Sequence, residues 1–390
     1  LHPRVRRQRQ MCIRDRYNPF HNGHRYHADM ARKQTGADVV IAVMSGNFLQ
    51  RGEPAILDKW ARANAALANG IDLVIELPIE WSVQSADYFA RGAVRLLQKI
   101  GCDYLCFGTE GEQSFDYQAF GSFVQENQKR IDQAFLQLVD QTMSYPQKMT
   151  EVFNQLYPEM NLDFSSPNHI LGLSYAKENA CYDRPMQLVP IARKNAGYHD
   201  QELPEQQIAS ATAIRKALSE KRAIDHYVPT ETAKIFQSAS MQTWETYWPL
   251  LRYRLLSSET EELQTIYQMT EGIEVRLIKA AKEATTFADF IDLVKTKRYT
   301  WTRLQRLACY TLLNIKTEEI KRQQAHLYLN ILGSTKKGRV FLKEKRTLPL
   351  FAKIGKQEAQ VAHLLIRSDQ IYQLAPSVQE QNFGRRPYIY

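Results

Sequence analysis

Two histidines three residues apart, His21 and His24, flank Asn22-Gly23 in the run Tyr17-Asn-Pro-Phe-His-Asn-Gly-His24. Asn18 and Pro19 make a turn, because proline brings no amide to a strand ladder or a helix interior. The periodic segment from about His24 to Gln34 then reads as a helix. A helix mouth presents unpaired amides and the positive end of its dipole, both of which stabilise phosphate oxygens. Gly23 lets backbone come close to a ligand. His21 and His24 can donate to phosphoryl oxygens as charge builds on a departing pyrophosphate, with no covalent enzyme intermediate. The same spacing fits half of a metal site with His27 as third ligand. No cysteine or acidic cluster completes it, so no resident metal is expected.

Further along, Ser210, Thr212 and Arg215 place two hydroxyls at a helix start and a guanidinium one turn later, a clamp for leaving phosphates. A plain helix cap with a surface arginine is the alternative. Arg193 and Lys194 follow an apolar run, Gly108 closes another, and Asn168 stands after Pro167 at the start of a helix, where it could serve only as a cap. The loop Ser45–Pro54 is polar and bears glycines. Arg51 or Lys59 could balance phosphate charge there, although an exposed surface loop fits the spacing equally well.

These residues need a scaffold, and the hydrophobic pattern supplies one. Val39–Met44, Ile71–Glu76, Asp103–Phe107 and Gln187–Ile191 read as short buried strands. Asp58–Asn69, Gln84–Ile100 and the stretch from Ser165-Ser-Pro-Asn168 to about Asn179 read as helices. Alternation of this kind predicts an α/β fold: a Rossmann-like parallel sheet covered on both faces, with ligands at the carboxyl ends of the strands. Residues 17–221 are expected to form this domain, with a helical insertion at about 113–160. Residues 222–390 are rich in helix formers without strand-like alternation, which predicts a mainly α-helical second domain.

The chain has 390 residues and a formal net charge of +9, which favours a polyanionic partner without identifying one. The segment Lys295–Arg306 carries five cations (Lys295, Lys297, Arg298, Arg303, Arg306) and no acid, interleaved with Tyr299 and Trp301. Lys336, Lys337 and Arg339 open a second basic segment. Cations beside aromatics suit RNA, while a solvated helix face with buried rings is the plainer reading. The five cysteines show no pairing pattern, which points to a reduced, cytoplasmic protein. No apolar run is long enough to span a membrane.

Residues 1–16 crowd six arginines into a stretch where an apolar central strand should precede the phosphate-binding turn. They are expected to be an atypical basic segment foreign to the domain, with a basic RNA-binding tail as the alternative. Losing such a strand would forfeit about 6–10 kcal/mol of burial.

Taken in order, YNPFHNGH, MSGNFLQRGEP, IDLVIELP, CFGTE, SPN, PIARKNAGYHD and ASATAIR resemble the bacterial tRNA(Met) cytidine acetate ligase family, from roughly residue 17 to the C-terminus. The resemblance implies a nucleotidyltransferase-type fold with a helical region that engages tRNA. It implies that ATP and acetate give acetyl-adenylate and pyrophosphate, and that the acetyl group then passes to the wobble cytidine of elongator tRNA(Met). Magnesium is expected with the ATP; DNA and membrane are not expected partners. ATP contacts would fall on Tyr17, Asn18, Pro19, Phe20, His21, Asn22, Gly23 and His24, then Gly108, Asn168, Arg193 and Lys194. The family's first strand, which also touches ATP, is missing from this reading. Two other functions fit the same residues: an adenylyltransferase making a dinucleotide-type cofactor, and a non-catalytic RNA-binding protein on a nucleotide fold.

Overall fold

The computed structural model describes residues 10–15, 17–110, 115–138, 143, 145–158, 162, 166–193, 203–204, 207–270, 272–296, 299–344 and 347–390. Its centre is a sheet of eight strands: β1 (Gln10–Asp15), β2 (Val39–Ser45), β3 (Leu73–Leu77), β4 (Tyr104–Thr109), β5 (Gln187–Ala192), β6 (Leu329–Ser334), β7 (Leu350–Phe351) and β8 (Tyr388–Ile389). The spatial order is β5-β4-β1-β2-β3-β6-β7, with β8 paired to β6. The first five strands run parallel, joined by helices, and β6 lies antiparallel to β3.

Strand β2 shows why a continuous apolar run is needed at the centre. Val39, Ile41 and Val43 face one core with Phe89, Val94 and Leu97, while Val40, Ala42 and Met44 face another with Ala28, Ala31 and Trp60. Successive side chains point to opposite faces, so a strand covered on both sides must be apolar at every position. The chain builds β2 and β3 on one side of β1, then β4 and β5 on the other. The order therefore reverses between β1 and β4, which opens a crevice at their carboxyl ends.

Two expectations are corrected here. The sequence predicts no strand upstream of Tyr17, yet Gln10–Asp15 forms β1, paired to both β2 and β4, with Met11, Cys12 and Ile13 at 0–1% exposure. Three apolar residues suffice to fill the central position; the arginines around them obscured a run that short. The region 222–390 is mainly helical, as expected, but it does not stand apart from the first domain, since it supplies β6, β7 and β8 to the main sheet. Every residue of β6 is buried, so it lacks the alternation that marks a half-exposed strand, and six apolar-rich residues fit helix and strand equally.

The helices between Trp244 and Leu312 pack around Trp244, Tyr247, Trp248, Phe287, Phe290 and Leu304. Phe48, Ile79 and Val83, from the loops after β2 and β3, insert into that same cluster. All five cysteines are unpaired, and Cys102 and Cys106 are buried, Cys106 with its thiol pKa pushed up by burial. Among the described residues, no helix is long and apolar enough to cross a membrane.

Candidate active site

The turn after β1 delivers residues 17–24 to the mouth of the Asn22–Thr35 helix. His21 caps that helix in extended conformation. Its Nδ1 accepts from the Gly23 amide at 3.1 Å, and Nδ1 of His24 accepts from the His21 amide at 3.2 Å. The two rings stack with centroids 3.6 Å apart. In a neutral imidazole an accepting Nδ1 leaves the proton on Nε2, so both rings are set as Nε2–H donors. Tyr17 and Phe20 lie buried beneath them, with ring centroids 5.0 and 5.6 Å from that of His24.

Asn18 is fixed by its own hydrogen bonds. Oδ1 accepts from the Ile56 amide at 2.9 Å, and the main-chain oxygen accepts from Arg215 at 2.9 Å. Its Nδ2 is buried and has no hydrogen-bond partner among the described residues. A buried donor in that state costs about 1–3 kcal/mol, which a ligand acceptor would offset.

A cleft of about 1280 Å³, including its open mouth, joins Asn18, His21, Gly23 and His24 to Gly108, Asn168, Arg193, Ser210, Thr212 and Arg215. Residues up to 197 positions apart in sequence meet there because the carboxyl ends of β1, β4 and β5 lie side by side. Three helices point their amino ends at the space: Asn22–Thr35, Pro167–Asn179 and Ala211–Ser219. Ser210 caps the last, its Oγ accepting from the Ala213 amide at 3.0 Å, while Arg215 donates to Thr212 Oγ1 at 3.3 Å. Arg51 and Glu53 also line the cleft, and Phe89, Phe107, Leu171, Tyr175 and Ile191 give it an apolar wall.

One organising residue escapes a reading by motif chemistry. Glu110, just past β4, accepts from Ser166 Oγ and from Asn168 Nδ2 at 2.8 Å, and pairs with Arg193 at 3.7 Å. It holds together two cleft residues that sequence places apart. Ser166, not Asn168, caps the Pro167–Asn179 helix. The Thr-Glu of CFGTE was the available signal, but nothing local shows that a carboxylate there faces Asn168 and Arg193.

Other expectations fall elsewhere. Tyr17, Pro19, Phe20 and Asn22 support the turn without lining the cleft. Asn22 donates to the main-chain oxygens of Gln207 and His226, each at 3.0 Å, and so ties the helix mouth to the segment carrying Ser210. Lys194, Lys297 and Arg298 lie outside the described residues. Lys295 is exposed, but Tyr299 is only 9% exposed, with Arg303 over its ring at 4.7 Å. Arg306 is half-buried, and burial lowers its pKa. Lys336 and Lys337 are exposed beyond the end of β6 that pairs with Leu73, at the amino ends of the parallel strands and opposite the cleft. Arg339 donates there to the Ser334 oxygen at 3.0 Å.

Lys59 is not a phosphate ligand. It is fully buried, with Nζ 2.8 Å from Glu76 and 2.5 Å from Asp369, and Asn47 and Asn330 donate to the same two carboxylates. One ammonium faces two carboxylates, with Arg62 engaged on the main-chain oxygens of Leu57, Ser45 and Gly46. Burial pushes Asp369 up from 3.8 to about 7 against the pull of Lys59, and Glu80 nearby up from 4.5 to about 8. Between the unfolded and folded pKa values the native state holds more protons. Their contribution to stability is therefore full below about 3.8 and lost as pH rises through about 7 to 8. Urea denaturation from pH 5 to 8 should show this slope, and Asp369→Asn should make it shallower.

The HIGH nucleotidyl transferase family model matches residues 11–386. The chain belongs to that family, among the tRNA(Met) cytidine acetate ligases. It is 43% identical to the tRNA(Met) cytidine acetate ligase of Listeria monocytogenes serotype 4a (strain HCC23), over 94% of this chain and 95% of the relative. It is 41% identical to that of Halalkalibacterium halodurans, over 95% of each. The crystal structure of apo Thermotoga maritima TmcAL superposes with a TM-score of 0.90 at 28% identity, covering 98% of this chain and 99% of the other. The same protein bound with alpha-thio ATP superposes with a TM-score of 0.86 over the same shares. The expected fold class and family are both borne out.

Proposed function

We propose that this protein is an ATP-dependent acetate ligase that makes acetyl-adenylate and transfers the acetyl group to the exocyclic amine of the wobble cytidine in elongator tRNA(Met). The observation that carries the reading is the meeting of two Nε2–H imidazoles, Arg193, Arg215 and three helix amino ends around one cleft. The names of the relatives and the nucleotide analogue in TmcAL support it.

Acetate is ionised at neutral pH, so its attack on the α-phosphorus needs alignment and charge neutralisation more than a base. His21 and His24 donate to oxygens that gain charge as pyrophosphate leaves. Ser210, Thr212 and Arg215 hold the departing phosphates, and Asn18 Nδ2 supplies a further donor. Gly108, Asn168 and Arg193 position the adenosine end, and Lys194 in the adjoining segment is assigned to the same task. A magnesium ion arriving with ATP would neutralise further phosphate charge; among the described residues no set of three or more His, Cys, Asp or Glu side chains is placed to hold a metal alone. Such substrates are cytoplasmic, and so is the protein on this reading.

Acetate-dependent ATP–pyrophosphate exchange, together with mass spectrometry of tRNA(Met) after incubation with labelled acetate, tests the reading. Exchange that ignores acetate and answers to a phosphorylated cofactor precursor would replace it with the adenylyltransferase.

For RNA, the segment Lys295–Arg306 is the better candidate surface, because it belongs to the helical half beside the loop that lines the cleft. Replacing Lys297, Arg298 and Arg303 should weaken tRNA binding while sparing exchange, and lower the salt-dependence slope by roughly one for each phosphate left without its cation. Filter binding between low and moderate salt measures it. An unaltered slope would move the surface elsewhere, for which Lys336, Lys337 and Arg339 are the alternative.

A further inference from the structure

The cleft is walled by cations and hydrogen-bond donors, yet a carboxylate lines it. Glu53 has no hydrogen bond or ion pair from its side chain to any described residue. Its loop is tightly held. The Leu49 amide donates to the Glu53 main-chain oxygen at 2.9 Å, the Gly52 amide to Leu49 at 2.8 Å, and the Ala55 amide to Asn47 at 2.9 Å. Phe48 and Pro54 form a bridge across the base of the loop. Behind it, Gly52 sits at φ +80° against the Trp301–Leu312 helix; a β-carbon there would lie 2.3 Å from the Arg306 amide nitrogen. The Gly52 oxygen also accepts from Trp244 Nε1 at 3.1 Å. Glu53 is thus fixed between the histidine turn and the helix bearing Arg303 and Arg306.

An unpaired carboxylate is a poor neighbour for a triphosphate and for acetate, since like charges repel. It suits a ligand that brings a donor. Cytosine presents its N4 amino group as a donor, and a carboxylate is the matching acceptor.

We propose that Glu53 binds the N4 amino group of the acceptor cytidine and is the general base of acetyl transfer, an inference that rests on the function proposed above. The N4 nitrogen attacks the acetyl carbonyl carbon of the adenylate and a C–N bond forms. The acyl C–O bond to phosphate breaks, and AMP leaves with that electron pair. The N4 proton passes to the Glu53 carboxylate and from there to solvent.

The test separates the two half-reactions in the full-length protein, with Glu53→Gln and Glu53→Asp compared to the parent. Acetate-dependent ATP–pyrophosphate exchange reports the first step. Transfer from preformed acetyl-adenylate to unmodified tRNA(Met) reports the second. Glu53→Gln should slow transfer about a hundredfold or more, while exchange slows less than about threefold, a margin far too small to come from losing a catalytic group. Glu53→Asp should recover part of the transfer rate, and thermal melting of each variant checks folding. Transfer by Glu53→Gln at the parental rate overturns the proposal. Equal loss of both half-reactions in a folded variant also overturns it, because the carboxylate would then serve ATP or its metal. If the parent itself lacks acetate-dependent exchange, the proposed function fails first and this inference with it.

Discussion

His24→Ala is expected to cut acetate-dependent ATP–pyrophosphate exchange by about a hundredfold or more, the scale seen when a preorganised transition-state donor is removed. The expectation follows from how the ring is held. Nδ1 accepts the His21 amide, which puts the proton on Nε2, and the ring stacks on His21 while Tyr17 and Phe20 support it from below. The donor is therefore in place before charge develops. His24 also belongs to the capping box of its helix, so removing it should cost about 0.5–2 kcal/mol of stability. His24→Asn separates the two roles, since its side-chain oxygen can accept the His21 amide without placing a donor where Nε2–H stood. Exchange measured beside thermal melting should show both variants impaired and only alanine destabilised. An unchanged exchange rate in His24→Ala would remove this residue from the mechanism.

Lys59→Met should destabilise the protein by about 3–5 kcal/mol at neutral pH, as breaking a buried ion pair from one side does. The loss is large because Glu76 and Asp369 would stay buried, facing each other without the ammonium. The three residues come from the helix after the cleft loop, from β3, and from the helix His363–Tyr372, and Asn330 of β6 donates to Glu76. The network therefore fastens the C-terminal region to the nucleotide-binding sheet. Because Asp369 can take up a proton near pH 7, the penalty should shrink on acidification. An exposed pair gives the contrast: Lys321, 3.0 Å from Glu318 on the surface, should contribute at most about 1 kcal/mol. Urea denaturation of Lys59→Met and Lys321→Met decides it, and similar midpoints would mean that the buried pair carries no special weight.

The amino-acid sequence by itself determined the parallel α/β scaffold, because β2 through β5 and their helices announce themselves through local periodicity, turns and caps. It also determined the chemistry of the histidine turn, where a helix mouth, a glycine and two imidazoles lie within eight residues. Longer-range facts were decided by tertiary structure. Met11, Cys12 and Ile13 become a central strand because β2 and β4 flank them, and β6 becomes a strand because β3 offers an open edge. Lys59 reads as a surface cation until Glu76 and Asp369 close over it from positions 17 and 310 residues away. Glu110 has meaning only where Asn168 and Arg193 meet it, and Glu53 only where the loop after β2 is pressed against a helix far downstream in the chain. Sequence records which groups are available. Burial and convergence decide which of them meet, since both depend on packing between residues that no local pattern connects.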